Sequence, residues 1–173
     1  MIELERYVPS EHGEMLWRMY KDKDYGEFFR RCPKTWRKED VLKFEELTGS
    51  QLFVCMLVGI EAVGFAVITN ICWYGLNAQV GLMLKIEYRD EIRNGHKLAY
   101  WSMLSLADLF FNKMPLQSMS FRFLKKRSDI EKSLVKGGLR KDGEYPKRVL
   151  FDGNMEDELE YSLDKEKYEV MYR

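Results

Sequence analysis

The chain has 173 residues, of which 46% are hydrophobic, 14% aromatic and 32% charged, and its formal net charge is zero. This composition is typical of one compact domain, residues 1–173, and no apolar run approaches the roughly 20 residues that span a bilayer. We therefore expect no membrane segment and no nucleic-acid partner.

The cysteines and histidines argue against a secreted, disulfide-bonded protein and against a metal-binding protein. Cys32, Cys55 and Cys72 are odd in number and form no C-x-x-C pair, and the N-terminus has no basic segment followed by an apolar stretch. This pattern predicts reduced thiols and a cytoplasmic location. The two histidines, His12 and His96, have no paired cysteines beside them, so we predict no metal site.

The N-terminal third predicts one strand and several helices. Residues Ile2 to Val8 alternate between apolar and polar and predict a strand. Ser10 is the predicted cap of a helix of about three turns, and Glu27 to Arg31 predicts a further short helix. Thr35 is the predicted cap of the next helix, which ends at Gly49.

The middle of the chain predicts three antiparallel strands. Residues Gln51 to Val58 and Ala62 to Ile71 are β-rich runs, and Gly59-Ile60-Glu61 between them predicts a tight hairpin. A turn within Asn70 to Asn77 leads to Gln79 to Ile86, which is apolar almost throughout. Such a run is typical of a strand buried on both faces.

A central helix connects this strand to the next one. Apolar residues recur from Leu98 to Phe111 with helical spacing on nearly all sides, so this helix must be central. Residues Ser118 to Leu124 alternate as a strand, and a right-handed crossover would place it beside the fourth strand. A helix from Ser128 to Val135 follows.

The C-terminal part predicts two more strands, Leu139 to Glu144 or beyond and Met155 to Leu163, which are joined through Asp152-Gly153-Asn154. The predicted order is β-α-α-β-β-β-α-β-α-β-β.

Charge is distributed unevenly in the C-terminal part. Residues 121–150 hold ten Lys/Arg and four Asp/Glu, whereas residues 151–173 hold three Lys/Arg and eight Asp/Glu. These charges form either solvated faces that attract one another or a basic rim beside a phosphate-bearing ligand.

The loop RDEIRNGHK, residues 89–97, joins the fourth predicted strand to the central helix. It is either an ordinary connection or an anion site, since a helix N-terminus presents unpaired N–H groups and a positive dipole end.

The element order, together with two stretches, resembles the GNAT superfamily of acyl-CoA-dependent N-acetyltransferases. VGLMLKIEYRD resembles the family's fourth strand before its pyrophosphate loop, and KGGLRKDGEYPKRVLFDGNMEDELEYSLDKEKY resembles its C-terminal ending. The resemblance is greatest to the ribosomal-protein N-terminal acetyltransferase branch. It implies an α/β (α+β) fold with a mixed, mostly antiparallel sheet that is splayed between the fourth and fifth strands and flanked by helices.

The resemblance also implies acetyl-CoA as co-substrate and an amine acceptor on a protein or small molecule, with a protein N-terminus or lysine favoured by that branch. The pantetheine arm would pair with the fourth strand, and the pyrophosphate would lie on the amides of the following loop. The residues implied in acyl-CoA binding are Leu82, Met83, Leu84, Lys85, Arg89, Arg93, Asn94, Gly95, His96 and Lys97.

The sequence departs from the family pattern at the positions that carry chemistry. The loop has one glycine, Gly95, and Lys97 stands where a small residue is expected. Gln79 stands where many members have an acid, Arg127 replaces a common asparagine, and residues 129–136 contain no tyrosine. Weak candidates for a catalytic role are Glu61, Gln79 and Glu87.

Two functions remain open at this point. One is amine acetylation, and the other is a catalytically degenerate GNAT-fold protein, as in some phage-encoded relatives, with a structural or protein-partner role. An open cleft between the splayed strands would favour the first, and a cleft filled by the chain's own side chains would favour the second. Six aromatic residues of the N-terminal helices belong either to the core or to an acceptor groove: Trp17, Tyr20, Tyr25, Phe28, Phe29 and Trp36.

Overall fold

The computed structural model describes residues 2–29, 32–57, 61–93 and 95–172, without the side chains of His96, Ser128 and Asp129. The strands are β1 (Ile2–Arg6), β2 (Gln51–Leu57), β3 (Glu61–Cys72), β4 (Asn77–Leu84), β5 (Ile92–Arg93), β6 (His96–Lys97), β7 (Ser118–Leu124), β8 (Arg140–Phe151) and β9 (Asn154–Asp164). The helices are α1 (Pro9–Lys21), α2 (Lys38–Leu42), α3 (Phe44–Thr48), α4 (Ile86–Arg89), α5 (Leu98–Asp108), α6 (Ser128–Lys136) and α7 (Lys165–Tyr172).

The main sheet has seven strands in the order β1-β2-β3-β4-β7-β9-β8. Neighbouring strands are antiparallel except β4 and β7, which are parallel. β5 and β6 form a separate two-stranded hairpin. The predicted mixed and mostly antiparallel sheet is therefore confirmed.

The parallel pair β4 and β7 separates after a short ladder. The ladder runs from the pair Asn77–Ser118 to the pair Val80–Phe121. β4 then continues to Leu84 and β7 to Leu124 without further pairing between them. This is the predicted splay between the fourth and fifth strands of the sequence-based order.

Helices cover the two faces of the sheet. Against one face lie α5 and residues of α6 and α7, which share a core cluster with Ala66, Val80 and Phe121. Against the opposite face of β2 to β4 lie α1, α2 and α3, which share a second cluster with Phe65 and Val67. From Phe65 to Ile68, successive residues of β3 face different helices because side chains alternate along a strand.

The six aromatic residues of the N-terminal region lie in or against this second cluster. Trp17 stacks on Tyr20 with ring centroids 5.7 Å apart, and Tyr20 meets the edge of Phe29 at 5.3 Å. These contacts support the core interpretation, although two of the six, Tyr25 and Phe28, also line the cleft described below.

Two predicted helix caps are wrong. α1 begins at Pro9 rather than after Ser10, and the Val8 N–H donates to Nδ1 of His12 at 3.0 Å. Proline suits this place because its fixed φ matches a helix and its missing N–H would have no partner in the first turn.

The cap predicted at Thr35 is also displaced, since α2 begins at Lys38. The Arg37 N–H donates to Asp40 Oδ2 at 2.8 Å. The helical end at Gly49 is confirmed, because this residue has φ of 64°.

Several element boundaries also differ from the prediction. The predicted helix at 27–31 is replaced by turns up to Phe29, and residues 30–31 lie outside the described part of the chain. The hairpin residues Gly59 and Ile60 are likewise outside it, although β2 and β3 do pair, with Leu57 opposite Glu61.

The predicted fourth strand starts and ends two residues earlier than expected, and Ile86 belongs to α4. α7 was not predicted; its Tyr168 packs 5.3 Å from Phe111 between ring centroids. None of the helices in the described ranges is long and apolar enough to cross a membrane.

Candidate active site

The splay between β4 and β7 opens a cleft with a volume of about 210 Å³. Both strands, α5, α6 and the segment of residues 24–28 after α1 contribute its walls. The cleft is open rather than filled by the protein's own side chains, which favours ligand binding over a catalytically degenerate fold. Its lining includes Asp24, Tyr25, Glu27, Phe28, Gln79, Gly81, Leu82, Met83, Leu84, Arg89, Asp90, Lys97, Ala99, Met103, Phe121, Arg122, Phe123, Arg127, Ile130, Ser133 and Leu134.

The edge of β4 presents backbone groups to this cleft. The Lys85 N–H donates to the Val63 carbonyl at 2.8 Å, so it points toward β3. Backbone groups of successive residues point to opposite edges of a strand. The N–H and C=O of Leu82 and Leu84 therefore point away from β3, into the gap. This edge can accept an extended ligand as an added strand.

The α5 side of the cleft is mainly apolar. Ala99 and Met103 of α5, Phe123 of β7 and Leu134 of α6 contribute to this wall. The helix that lacks the expected tyrosine contributes Ser133 to the lining of the cleft. A hydroxyl can donate one hydrogen bond there.

The N-terminus of α5 lies at the open end of the cleft. Lys97 is the N-cap residue, and Lys97 and Ala99 line the cleft. One first-turn donor is already used, since the Leu98 N–H donates to the Glu91 carbonyl at 3.1 Å. The remaining N–H groups of the turn and the helix dipole favour an anion here.

The loop before α5 is a small hairpin and not an extended run of amides. Arg93 pairs with His96, and Gly95 in the turn has φ of 76°. A hairpin this tight requires positive φ, which glycine adopts without strain. Asn94 lies outside the described residues, as does the His96 side chain, so their predicted contacts with a pyrophosphate stay predictions.

The predicted cationic residues separate into two groups. Arg89 and Lys97 line the cleft. Arg89 Nη2 donates to the Asp24 carbonyl at 3.0 Å, and Lys97 pairs with Asp90 at 3.1 Å. Arg93 is instead paired with Glu91 at 2.6 Å and is absent from the lining that the described residues form.

Lys85 is also absent from that lining, with Nζ 5.9 Å from the Tyr88 ring centroid.

Of the three candidate catalytic side chains, the cleft contains Gln79 alone. Its Oε1 accepts a hydrogen bond from Asn70 Nδ2 at 2.9 Å. Glu61 and Glu87 are exposed and do not line the cleft. A neutral amide cannot accept a proton from an amine, so Gln79 cannot act as the general base.

Residues 24–28 form a strap over the cleft; the sequence analysis named Tyr25 and Phe28 as possible groove residues, but it did not single out Glu27. On the β4 side, the Tyr25 hydroxyl accepts from the Ile86 N–H at 2.9 Å, and burial raises the pKa of Tyr25. On the β7 side, Glu27 Oε1 accepts from the Leu124 N–H at 2.7 Å. The strap therefore connects the separated ends of the two strands. For Glu27, the sequence signal was its place in an aromatic loop after a helix.

The fold is the GNAT fold, which solved spermidine N-acetyltransferases share. Among solved structures, that of the spermidine N-acetyltransferase SpeG from Vibrio cholerae in complex with CoA and spermine has a TM-score of 0.83 at 11% identity, covering 96% of this chain and 97% of that one. A chimera of SpeG with hSSAT gives 0.81 at 12% identity, with 99% of both chains covered.

Mutant forms of the spermidine/spermine N-acetyltransferase SpeG from Vibrio cholerae give a TM-score of 0.80 at 11% identity, with 100% of both chains covered. No protein-family model and no curated protein matches the sequence. These similarities support the GNAT fold, and they do not support the ribosomal-protein branch that the sequence suggested.

Proposed function

We propose that the protein is an acyl-CoA-dependent N-acetyltransferase that acts on an amine, with acetyl-CoA as its co-substrate. The observation that carries this proposal is the open cleft between β4 and β7, with the backbone of Leu82 directed into it. The SpeG structure of the same fold was solved with CoA and spermine, which supports an acyl-CoA and an amine as the pair of ligands.

The cleft fits acetyl-CoA in its main features. The Leu82 edge can pair with the two amides of the pantetheine arm, and the apolar wall around Met103 and Phe123 can enclose its aliphatic part. The N-terminus of α5, with Lys97 beside it, can bind the pyrophosphate. Arg89 adds a second positive charge on the β4 side of the cleft.

The chain can position an amine and a thioester without a dedicated base. Acetyl-CoA supplies the activated acetyl group. Correct positioning of two reactants supplies a large part of a rate enhancement, and a backbone N–H directed at developing negative charge supplies more. The N–H groups of Leu82 and Leu84 both point into the gap, and one of them would stabilise this charge while the other pairs with the pantetheine arm. With Gln79 in the cleft, proton removal falls to water or to a carboxylate elsewhere in the site.

The acceptor we propose is a small-molecule amine. The strap of residues 24–28 covers the face of the cleft opposite α5. This cover narrows the entrance to the cleft, so that the entrance suits the end of an extended molecule. A protein N-terminus or a lysine, which the sequence resemblance favoured, belongs in the substrate panel as the competing class. The predicted cytoplasmic location is consistent with either class.

Calorimetry and an activity assay together test this function. We expect acetyl-CoA and desulfo-CoA to bind with similar heats, because the thioester contributes little to ground-state binding. Release of CoA thiol should then depend on an added amine from a panel of polyamines, N-terminal peptides and lysine peptides. Absence of heat with millimolar acetyl-CoA would instead favour the degenerate, partner-binding alternative.

A further inference from the structure

Arg122 is a cationic side chain of the cleft that the proposed binding of acetyl-CoA does not use. It belongs to β7 and lines the cleft. Its neighbours Phe121 and Phe123 belong to the core cluster that contains α5. Because side chains alternate along a strand, Arg122 lies on the opposite face, which is the face that the strap covers.

Arg122 lies at the point where β4 and β7 separate. The last pair of the parallel ladder is Val80–Phe121, so Gly81 and Arg122 are the first residues of the two strands beyond it. Gly81 precedes Leu82, whose N–H points into the gap where the thioester would lie. Since the apolar α5 side suits the acyl-CoA arm, the amine approaches from the strap face and comes close to Arg122.

The guanidinium of Arg122 is fixed at one end and keeps hydrogen-bond donors at the other. Its Nε donates to Glu160 Oε1 at 2.9 Å, and the Tyr145 hydroxyl donates to Glu160 Oε2 at 2.9 Å. The side chain of Arg122 is 30% exposed. An arginine has five N–H donors, and Arg122 makes no second hydrogen bond to the described residues. Four N–H donors therefore remain for a ligand.

The surrounding charges limit what these donors can bind. The hydrogen bond to Glu160, together with the charges of Glu160 and Glu158, raises the pKa of Arg122. Glu158 is buried on β9. An anionic ligand group would be repelled by this negative charge, and a cationic group has no lone pair for the N–H donors. An uncharged carbonyl oxygen meets neither obstacle, because it accepts hydrogen bonds without carrying a charge.

We propose that Arg122 is a specificity-determining residue of the acceptor site, where its guanidinium binds an uncharged carbonyl oxygen of the acceptor. This inference rests on the proposed acetyltransferase function. Neighbouring strands lie about 4.8 Å apart where they pair, so an oxygen bound just beyond the ladder is close to the reacting amine. The acceptor class is therefore an α-amino amide, which is either a small amino-acid derivative or the N-terminus of a polypeptide.

Three acceptors of the same shape test this role: glycinamide, isobutylamine and glycine, which carry an amide, two methyl groups and a carboxylate at the same position. Rates are referred to the unprotonated fraction of each amine. We expect the wild type to prefer glycinamide over isobutylamine at least tenfold in kcat/KM, and to use glycine less well than glycinamide. A hexapeptide that begins with glycine should also be used less well than glycinamide, since the strap narrows the entrance.

Arg122→Lys keeps a cation for Glu160 but removes the planar set of N–H donors. It should lower kcat/KM for glycinamide about 10- to 100-fold, the effect of one hydrogen bond to a charged group. It should change kcat/KM for isobutylamine and the Kd of acetyl-CoA by less than about threefold, because isobutylamine has no oxygen and acetyl-CoA binds on the α5 side. Arg18→Lys is the matched control, since Arg18 Nε pairs with Glu14 at 3.0 Å on the exposed surface of α1.

Equal losses for glycinamide and isobutylamine in Arg122→Lys would mean that Arg122 only supports β7, and would overturn this inference alone. So would a wild type that uses these two amines equally well, that prefers glycine, or that acetylates only amines without a carbonyl oxygen. A hexapeptide used better than glycinamide would support the oxygen site and assign the acceptor to a polypeptide. A wild type that neither binds acetyl-CoA nor acetylates any amine would overturn the proposed function and this inference together.

Discussion

Position 79 determines whether the cleft contains a group that can accept a proton beside β4. Gln79 is the candidate side chain that the structure keeps in the cleft, and Asn70 donates to it. Replacement by glutamate would preserve that hydrogen bond, since Asn70 Nδ2 can donate to a carboxylate as well as to an amide oxygen.

We predict that Gln79→Glu raises amine-dependent CoA release. General base catalysis typically contributes about 10² to 10⁴ in rate, so an increase of at least tenfold in kcat is expected if proton removal limits the reaction. The gain should be lost at acid pH as the new carboxylate is protonated. Gln117→Glu, on the connection before β7, is a control for added negative charge. An unchanged rate would mean that water already removes the proton.

Tyr7 shows the cost of a buried hydroxyl. Its side chain is 5% exposed, and its hydroxyl has no hydrogen-bond partner among the described residues. A buried polar group without a partner costs about 1–3 kcal/mol. We predict that Tyr7→Phe raises the free energy of unfolding at pH 7 by about 1 kcal/mol, as measured by urea denaturation.

The pH dependence of this effect has a definite sign. Burial, with a smaller contribution from Glu45, raises the pKa of Tyr7 to about 12, above the value of about 10 in an unfolded chain. The neutral form is favoured in the folded state, so stability is lost as the pH rises from about 10 to about 12. The advantage of Tyr7→Phe should increase over that range. Tyr74→Phe, at a fully exposed side chain, should show no such increase.

At the scale of elements, the N-terminus of α5 is the proposed pyrophosphate site. Lys97 lines the cleft there, with its side chain 40% exposed and paired with Asp90. We predict that Lys97→Ala weakens acetyl-CoA binding about three- to tenfold at low salt, because a partly exposed charge contributes modestly. The effect should shrink at high ionic strength, where such interactions are screened.

Calorimetry at two salt concentrations measures the Kd of acetyl-CoA for Lys97→Ala and for the wild type. The control is Lys113→Ala, which changes an exposed lysine outside the cleft. A Kd for Lys97→Ala equal to that of the wild type at both salt concentrations would place the pyrophosphate elsewhere than the α5 terminus.

The long apolar elements could be predicted from the sequence because their patterns are set by burial. β7 occupies the predicted range Ser118–Leu124, and α5 begins at the predicted Leu98. The short elements α4, β5 and β6 carry no apolar periodicity, so they could not be distinguished from a loop. α7 gave a weak signal, the spacing of four between Tyr168 and Tyr172, whose rings are tilted at 38° to each other with centroids 5.4 Å apart.

The part of the site that belongs to β4 and to the start of α5 could be predicted, including the cleft positions of Gln79, Arg89 and Lys97. The Leu82 edge follows from the strand and its splay, and these follow from the element order. Glu27 could not be predicted, because its place depends on a turn that packs against Leu124 and Arg127 more than 95 residues away in sequence. Loop residues reach a site through tertiary contacts that local sequence does not encode.

For the whole molecule, the splay divides the sheet into β1-β2-β3-β4 and β7-β9-β8, which four register pairs between β4 and β7 join within the described residues. α5 packs across the junction, and the strap ties the separated strand ends through Tyr25 and Glu27. A ligand that pairs with the β4 edge and contacts β7 would add a connection between the two parts. Binding to the folded state alone also raises stability by mass action.

We therefore predict that acetyl-CoA raises the melting temperature. A ligand at 100 times its Kd adds about 2.7 kcal/mol to the free energy of unfolding, which corresponds to roughly 5–10 °C for a chain of this length. Desulfo-CoA should give a similar shift in differential scanning fluorimetry, because it retains the pantetheine and pyrophosphate groups. Adenosine alone should give only a small shift in melting temperature, because it lacks the pantetheine arm that would bridge the two strands. Equal shifts with adenosine and acetyl-CoA would show that the nucleotide binds without entering the splay, whereas no shift with any of them would leave the cleft to a different occupant.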